Sequence, residues 1–225
     1  MKKTNYSQQL RRVLTEATAR SIFPAVSWGK GLEFKIAQSQ TEFDAAYKLV
    51  WEVYGVEQGY IEPDDYPDLM HSDKYDKHSV LFLCLLRRKP VGTLRLILDS
   101  PLGFYIERDF SIIAPPIPRE KIAELSRLAV LKKHRGGARL ISFGLLRTAL
   151  KFSKSNGITH WYTLIGERFK NSFHKYGVNI DPLPCNELSR QQIEERRLME
   201  HYYKAVNPQP YIISLAGTEQ GMSLR

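Results

Sequence analysis

The sequence predicts an α/β sandwich whose sheet is mostly antiparallel in its first half, and three observations predict it. Two strand-like apolar runs, Ser79–Leu86 and Val91–Leu98, are joined by Arg87-Arg88-Lys89-Pro90, as in an antiparallel hairpin. A third run, Ile122–Val130, leads through a short basic loop into a helical pattern at Leu140–Phe152, with Leu140, Ile141, Leu145, Ala149 and Phe152 on one face. Strand and helix patterns then alternate again at Trp161–Ile165 and Arg168–Tyr176. Strands followed by alternating helix and strand imply a layered α/β domain.

Taken in order, residues 1–30 read as a basic N-terminal extension, with Lys2, Lys3, Arg11, Arg12 and Arg20 against Glu16 alone and a helical spacing of Leu10, Val13, Leu14 and Ala17. Pro24 and Gly29-Lys30-Gly31 end it, and the core is expected at 33–180. Leu32–Ala37 reads as a strand, and Thr41–Val53 as a helix N-capped by Thr41, with Ala45, Ala46, Leu49, Val50 and Val53 on one face. Residues 54–78 form a long aromatic and acidic connection, a length that is usually functional or mobile. Ser79–Leu86 is apolar on both faces and is expected to be central. A connection rich in proline (Pro115, Pro116, Pro118) precedes Ile122, and Gly157 stops the helix after Phe152. The C-terminal part, 186–225, is read as a polar, basic helix over Ser189–Ala205 and a strand over Tyr211–Leu215.

At 225 residues the chain is expected to form a single domain over 1–225. A hydrophobic fraction of 43% excludes a disordered composition. The longest apolar run, Val80–Leu86, is far short of the roughly 20 residues that cross a bilayer. The N-terminus lacks an apolar leader, so a cytoplasmic location and no transmembrane segment are expected. Cys84 and Cys185 have no metal-ligand or disulfide spacing; no metal is expected, and Cys84 reads as a small core residue. A net charge of +9 points to an acidic partner: nucleic acid, an anionic membrane or an acidic carrier protein. No nucleic-acid-reading module accompanies it, so nucleic acid is not expected.

Strand, basic loop and helix at Glu124–Leu140 form the arrangement that presents backbone N–H groups to an anion, which reads as a phosphate site. A plain turn capping the helix is the alternative.

The run Val91-Gly92-Thr93-Leu94-Arg95-Leu96, the strand Glu124-Leu125-Ser126-Arg127-Leu128-Ala129-Val130, the loop and helix after it, and Asn171–Val178 together resemble the GNAT acyltransferase superfamily over about residues 33–180. Within it the likeness is to acyl-homoserine-lactone synthases, N-acyl amino acid synthases and exosortase-associated acyltransferases. It is carried by Asp73-Lys74-Tyr75-Asp76, Arg95-Leu96 and the Glu-x-Ser-Arg-x-Ala-Val strand, in that order. The resemblance implies a three-layer GNAT-like sandwich with a mixed, mostly antiparallel central sheet. It also implies an N-acyltransferase moving a fatty acyl group from acyl carrier protein or acyl-CoA to the amino group of an amino acid or related small acceptor, S-adenosylmethionine included. No cofactor would be bound permanently; the phosphopantetheine thioester is a co-substrate.

Such a reaction needs a bound donor arm, a deprotonated amine and a stabilised oxyanion. The GNAT pyrophosphate pattern fits Lys133-x-x-Gly136-x-Ala138, with Lys in place of the usual Arg, and a register starting at Arg135 is the other possibility. Lys133, His134, Arg135, Gly136, Gly137 and Ala138 are the expected donor-phosphate residues. Glu124, set among Ile122, Leu125 and Leu128, is the candidate base, its pKa raised by desolvation; an ion pair with Arg95 or Arg127 is the competing reading. Glu124 and Arg127 are three apart and face opposite ways in a regular strand, so a bulge is needed to bring both into one site.

The resemblance implies a distorted strand exposing an amide near Ala129 or Val130 to the thioester carbonyl. It also implies a charged cluster of Asp73, Asp76, Arg95 and Arg127 that shapes the acceptor site, and it sets Trp51 beside that site. Phe173 stands where many GNAT enzymes have a tyrosine acid. The alternatives are an acetyl-CoA-dependent N-acetyltransferase and a basic binding module that retains the scaffold without catalysis.

Overall fold

The computed structural model describes residues 26–28, 31–175, 178–186, 200–216 and 218. The expected extension at 1–30 lies outside the described residues except for a short strand, β1 (Val26–Trp28), and so does most of the expected helix at 189–205.

Chain order then gives β2 (Leu32–Ile36), α1 (Gln40–Trp51), the hairpin β3 (Ser79–Leu86) and β4 (Lys89–Leu98), a one-turn α2 (Ile106–Asp109) and β5 (Ser111–Ile112). Next come β6 (Ile122–Val130), α3 (Ala138–Ser155), β7 (His160–Ile165), α4 (Glu167–Lys175), β8 (Ile180–Pro182), β9 (Cys185–Asn186), α5 (Glu200–Val206) and β10 (Gln209–Ser214). Among the described residues, eight strands form one sheet in the order β1-β2-β3-β4-β6-β7-β10-β8, and β5 pairs separately with β9. Every pairing in the large sheet is antiparallel except β6 with β7.

Alternation along β3 makes the layers. Val80, Phe82 and Cys84 join the core under α3, with Phe34, Phe152 and Trp161, whereas Leu81 and Leu83 pack with Phe43, Ala46 and Tyr47 beneath α1. A strand buried on both faces must be central, as its unbroken apolar run implied. The expected three-layer, mostly antiparallel α/β sandwich is what forms. Cys84 is a buried free thiol, and Cys185 is exposed.

Three expectations need correction. Helix α1 is capped by Ser39 rather than Thr41: Ser39 accepts the Glu42 N–H while the Glu42 carboxylate reaches back to the Ser39 N–H, a capping box that places Thr41 inside the helix. The hairpin turn is two residues long, because Arg87 and Arg88 both take positive φ (49° and 66°), the handedness that matches strand twist, and Lys89-Pro90 extends β4. Within the long connection at 54–78, which α1 enters through a π-helical turn (Glu52–Glu57), short 3₁₀ turns form at Pro63–Asp65 and Lys74–His78. The basic loop is wound into a 3₁₀ turn at Lys132–Gly137 and the helix after it starts at Ala138, before the expected Leu140.

Helix α3 lies so close to β2 that a Cβ at Gly144 would come within 2.2–2.7 Å of the Phe34 ring. Gly144→Ala should therefore destabilise by about 1–3 kcal/mol through overpacking, outweighing the helix-propensity gain of up to about 1 kcal/mol. Thermal denaturation checks this; a raised Tm would contradict it.

Candidate active site

The site is made by an irregularity at the centre of the sheet, where β4 meets β6. Along β4 and β6, Thr93 pairs with Ala129 but Arg95 pairs with Ser126, so two steps on β4 face three on β6. The extra residue is a β-bulge at Arg127-Leu128, and Arg127 takes φ 52°, uncommon for a residue with a side chain. Because the bulge resets the alternation, Arg127 and Glu124 both border one small cavity despite their odd spacing.

Arg127 donates through Nη1 to both Asp76 oxygens (3.0 and 3.2 Å) and through Nη2 to Asp73 (2.8 Å). Arg95 donates through Nη1 to Asp73 and Asp76 (2.9 Å each) and through Nε to the Ser126 hydroxyl (2.9 Å). The Asp-x-x-Asp spacing has a local cause. Asp73 caps the 3₁₀ turn by accepting the Tyr75 N–H, and Asp76 returns a bond to the Asp73 N–H, so the box that forms the turn also aims both carboxylates at the two guanidiniums. Two positive and two negative charges meet in nearly dry surroundings, with side-chain exposures of 2% for Arg95 and 0% for Asp76. Burial pushes the Asp73 carboxyl up, but Arg95 and Arg127 outweigh it and hold it well below the usual carboxylate range.

Glu124 stands apart from this cage. It pairs across β6 with Ile97 and Tyr162, is 1% exposed, and accepts the Ile106 N–H at 3.0 Å. The acids bonded to Arg95 and Arg127 are Asp73 and Asp76, so the alternative in which Glu124 pairs with one of those arginines is not the arrangement observed. Burial pushes its pKa up to about 8, against the lowering effects of the Ile106 N–H and the Arg95 charge. A carboxyl poised there ionises as pH rises toward 8, and its carboxylate form is a stronger base than an ordinary glutamate.

Strands β6 and β7 pair only as far as Leu125 with Thr163; beyond that point they separate. A cleft of about 340 Å³ opens between them, bordered by Ser126–Val130 on one side and Thr163–Gly166 on the other, with Phe173 of α4 nearby. Ala129 and Val130 lie on its wall. The smaller cavity continues inward to Glu124 and is bordered by Tyr54, His71, Tyr105 and Tyr202. Tyr54 and Tyr60 line the main cleft, whereas Trp51, expected beside the acceptor site, borders neither cavity.

The basic loop, expected to hold the donor phosphate, is arranged as follows. Arg135 is committed to the Glu57 carboxylate and the Val130 carbonyl, while Lys132 and Lys133 are exposed and His134 half-buried. Gly136 has open space around it, and Gly137 and Ala138 lie at the junction with α3.

Two residues escaped sequence reading. His71 is buried, bonds through its backbone N–H to Tyr47, and leaves Nδ1 without a partner. Burial first, and then Arg127 and Arg95, hold its pKa well below the usual histidine value, so its ring is neutral. Tyr202 arrives from α5, donates to the Leu164 carbonyl and stacks edge-on against Tyr60. A lone histidine in a connection and a tyrosine in a distant helix carry no spacing signal.

The family model for the N-acyl amino acid synthase FeeM matches residues 45–177, which is more than half of the chain and contains the bulged strand, the charged cage, Glu124 and the basic loop. The chain belongs to the FeeM family of N-acyl amino acid synthases. It is an N-acyltransferase, and family membership sets aside the reading of a non-catalytic binding module.

Solved structures share this FeeM-family fold. The acyl-homoserine-lactone synthase LasI is 18% identical, with 86% of this chain and 95% of that chain covered and a TM-score of 0.62. FeeM from uncultured soil microbes is 14% identical, with 84% and 93% covered and a TM-score of 0.54. An acetyltransferase of the GNAT family from Staphylococcus aureus Mu50 is 15% identical, with 82% and 99% covered and a TM-score of 0.50. These likenesses establish the GNAT fold. No curated protein matches the chain. Among the described residues, no helix is long and apolar enough to cross a membrane.

Proposed function

We propose that this FeeM-family chain moves a fatty acyl group from the phosphopantetheine thioester of acyl carrier protein to the amino group of an amino acid or related small acceptor, in the cytoplasm. The observation that supports this reading is the cleft between β6 and β7, which is bordered by Arg135 of the basic loop and shares Tyr54, Arg127 and Tyr202 with the cavity at Glu124. A thioester arm lying along the cleft would place its carbonyl against the bulged edge of β6, where the amides near Ala129 and Val130 are candidates to receive the developing oxyanion.

The acceptor enters as an ammonium ion. Glu124 takes one proton, directly or through one water; the amine nitrogen then bonds to the carbonyl carbon, the C–S bond breaks, and the leaving thiolate collects the second proton that the nitrogen sheds as the amide forms. The products are the N-acyl compound and the free thiol. Phe173 has no hydroxyl with which to supply that proton. Arg95, Arg127, Asp73 and Asp76 organise the acceptor side, their net charge balanced so that an incoming carboxylate is not neutralised by a bare cation but aligned by a held guanidinium. The lysine-rich loop and the +9 net charge suit an acidic carrier.

Purified protein should be incubated with long-chain acyl carrier protein, acyl-CoA and acetyl-CoA in parallel, with an amino-acid pool and S-adenosylmethionine, and the products read by mass spectrometry. The expected result is an N-acylated product made fastest from the carrier-bound donor. Product from acetyl-CoA alone would make this an ordinary acetyltransferase.

A further inference from the structure

The donor loop already holds an anion of the protein's own. Glu57, the last residue of the π-helical turn after α1, accepts the Lys132 N–H on its two carboxylate oxygens at 3.0 and 3.2 Å and pairs with the Arg135 guanidinium. Arg135 is fixed further by donating through Nε to the Val130 carbonyl at 3.1 Å, and the Gln58 amide, with its oxygen turned toward the guanidinium as the surrounding donors require, accepts from Nη1 and Nη2 at 2.9 and 3.1 Å. Gln58 and Arg135 stand on the wall of the main cleft. A backbone N–H beside a guanidinium is what a phosphate would seek; here a carboxylate from a turn 78 positions away in sequence has taken both.

We infer that Glu57 is a specificity-determining residue for the acyl donor. By neutralising Arg135 and occupying the first N–H of the loop, it leaves a site suited to an arm with one phosphate, and it disfavours coenzyme A with its three. The biological sense of this inference rests on the carrier-protein reading above. Phosphates brought against this wall would meet the Glu57 charge, and the repulsion grows with each phosphate added. At a partly exposed surface one such charge is worth about tenfold in affinity. The competing role for Glu57 is a clamp that shapes the loop for any donor, and the two roles differ in sign when the charge is removed.

Glu57→Gln keeps the shape and an oxygen for the Lys132 N–H while deleting the charge. Binding of coenzyme A and of 4′-phosphopantetheine to the full-length protein, by titration calorimetry, reads the effect without catalysis or a known acceptor. The expected result is about tenfold tighter coenzyme A, a change of less than about threefold for 4′-phosphopantetheine, and a coenzyme A gain that shrinks as salt is added. Adding Arg135→Gln to that variant should return the ratio toward wild type. Weakening of both probes together, or no change in their ratio, would overturn the inference.

If Glu57→Gln fails to fold, Arg135→Gln alone must weaken coenzyme A more than 4′-phosphopantetheine; equal weakening would overturn it. Wild-type turnover that favours acyl-CoA over acyl carrier protein would remove the carrier reading, whereas the role of Glu57 is judged only on the change in binding ratio.

Discussion

Replacing Glu124 with glutamine is expected to lower kcat by about 10²- to 10⁴-fold, the range for a lost general base, without loss of fold. The amide oxygen can still accept the Ile106 N–H that Glu124 accepts at 3.0 Å. Stability separates a dead enzyme from an unfolded one. The Glu124 pKa of about 8 in the folded chain stands above the roughly 4.3 of an unfolded glutamate. The folded state therefore binds this proton more tightly, and wild type loses stability as pH rises from about 4.3 toward 8. The glutamine variant lacks that loss and should equal or exceed wild type in Tm, with its advantage growing across this window. A variant that is inactive and also melts lower at pH 8 would point to a structural role.

Removing Asp76 should be the most destabilising single change in the cage. Its carboxylate accepts from both Arg95 and Arg127 and is fully buried. Asp76→Ala leaves two buried guanidiniums sharing Asp73. Breaking a buried pair in this way costs about 3–5 kcal/mol, a fall in Tm on the order of ten degrees for a domain of this size. Circular dichroism melts at neutral pH check it, and a loss below about 1 kcal/mol would show that the cage contributes little beyond positioning. Asp73, whose carboxyl is held well below its usual range, adds a signature of its own. Its contribution is complete above the unfolded pKa near 3.9 and is lost as pH falls through the depressed folded value, so acid should weaken wild type here.

Much of the architecture was legible because it depends on local period and punctuation. The unbroken apolar run of β3 announced a strand buried on both faces, and the faces of α1 and α3 were readable from spacing. Glu124 was legible as a desolvated carboxylate because its neighbours in the strand are apolar. The bulge at Arg127 was legible only as a requirement, since the pairing irregularity is a property of two strands together and not of either alone. The Thr41 cap failed because a capping box two residues earlier satisfies one more N–H group. Arg135 looked like a phosphate ligand because its partner Glu57 lies far away in sequence, and long-range ion pairs leave no periodic trace. His71 and Tyr202 reach the cavity through tertiary packing alone, so no motif marked them.

Whether Glu124 is the proton acceptor is decided most directly by kcat/KM for acyl transfer measured from pH 6 to 10 on wild type and on Glu124→Gln. Wild type should rise through an apparent pKa near 8 as Glu124 ionises, and the residual activity of the variant should lack that limb. A wild-type limb that persists unchanged in the variant would assign the titration, and the base, to another group.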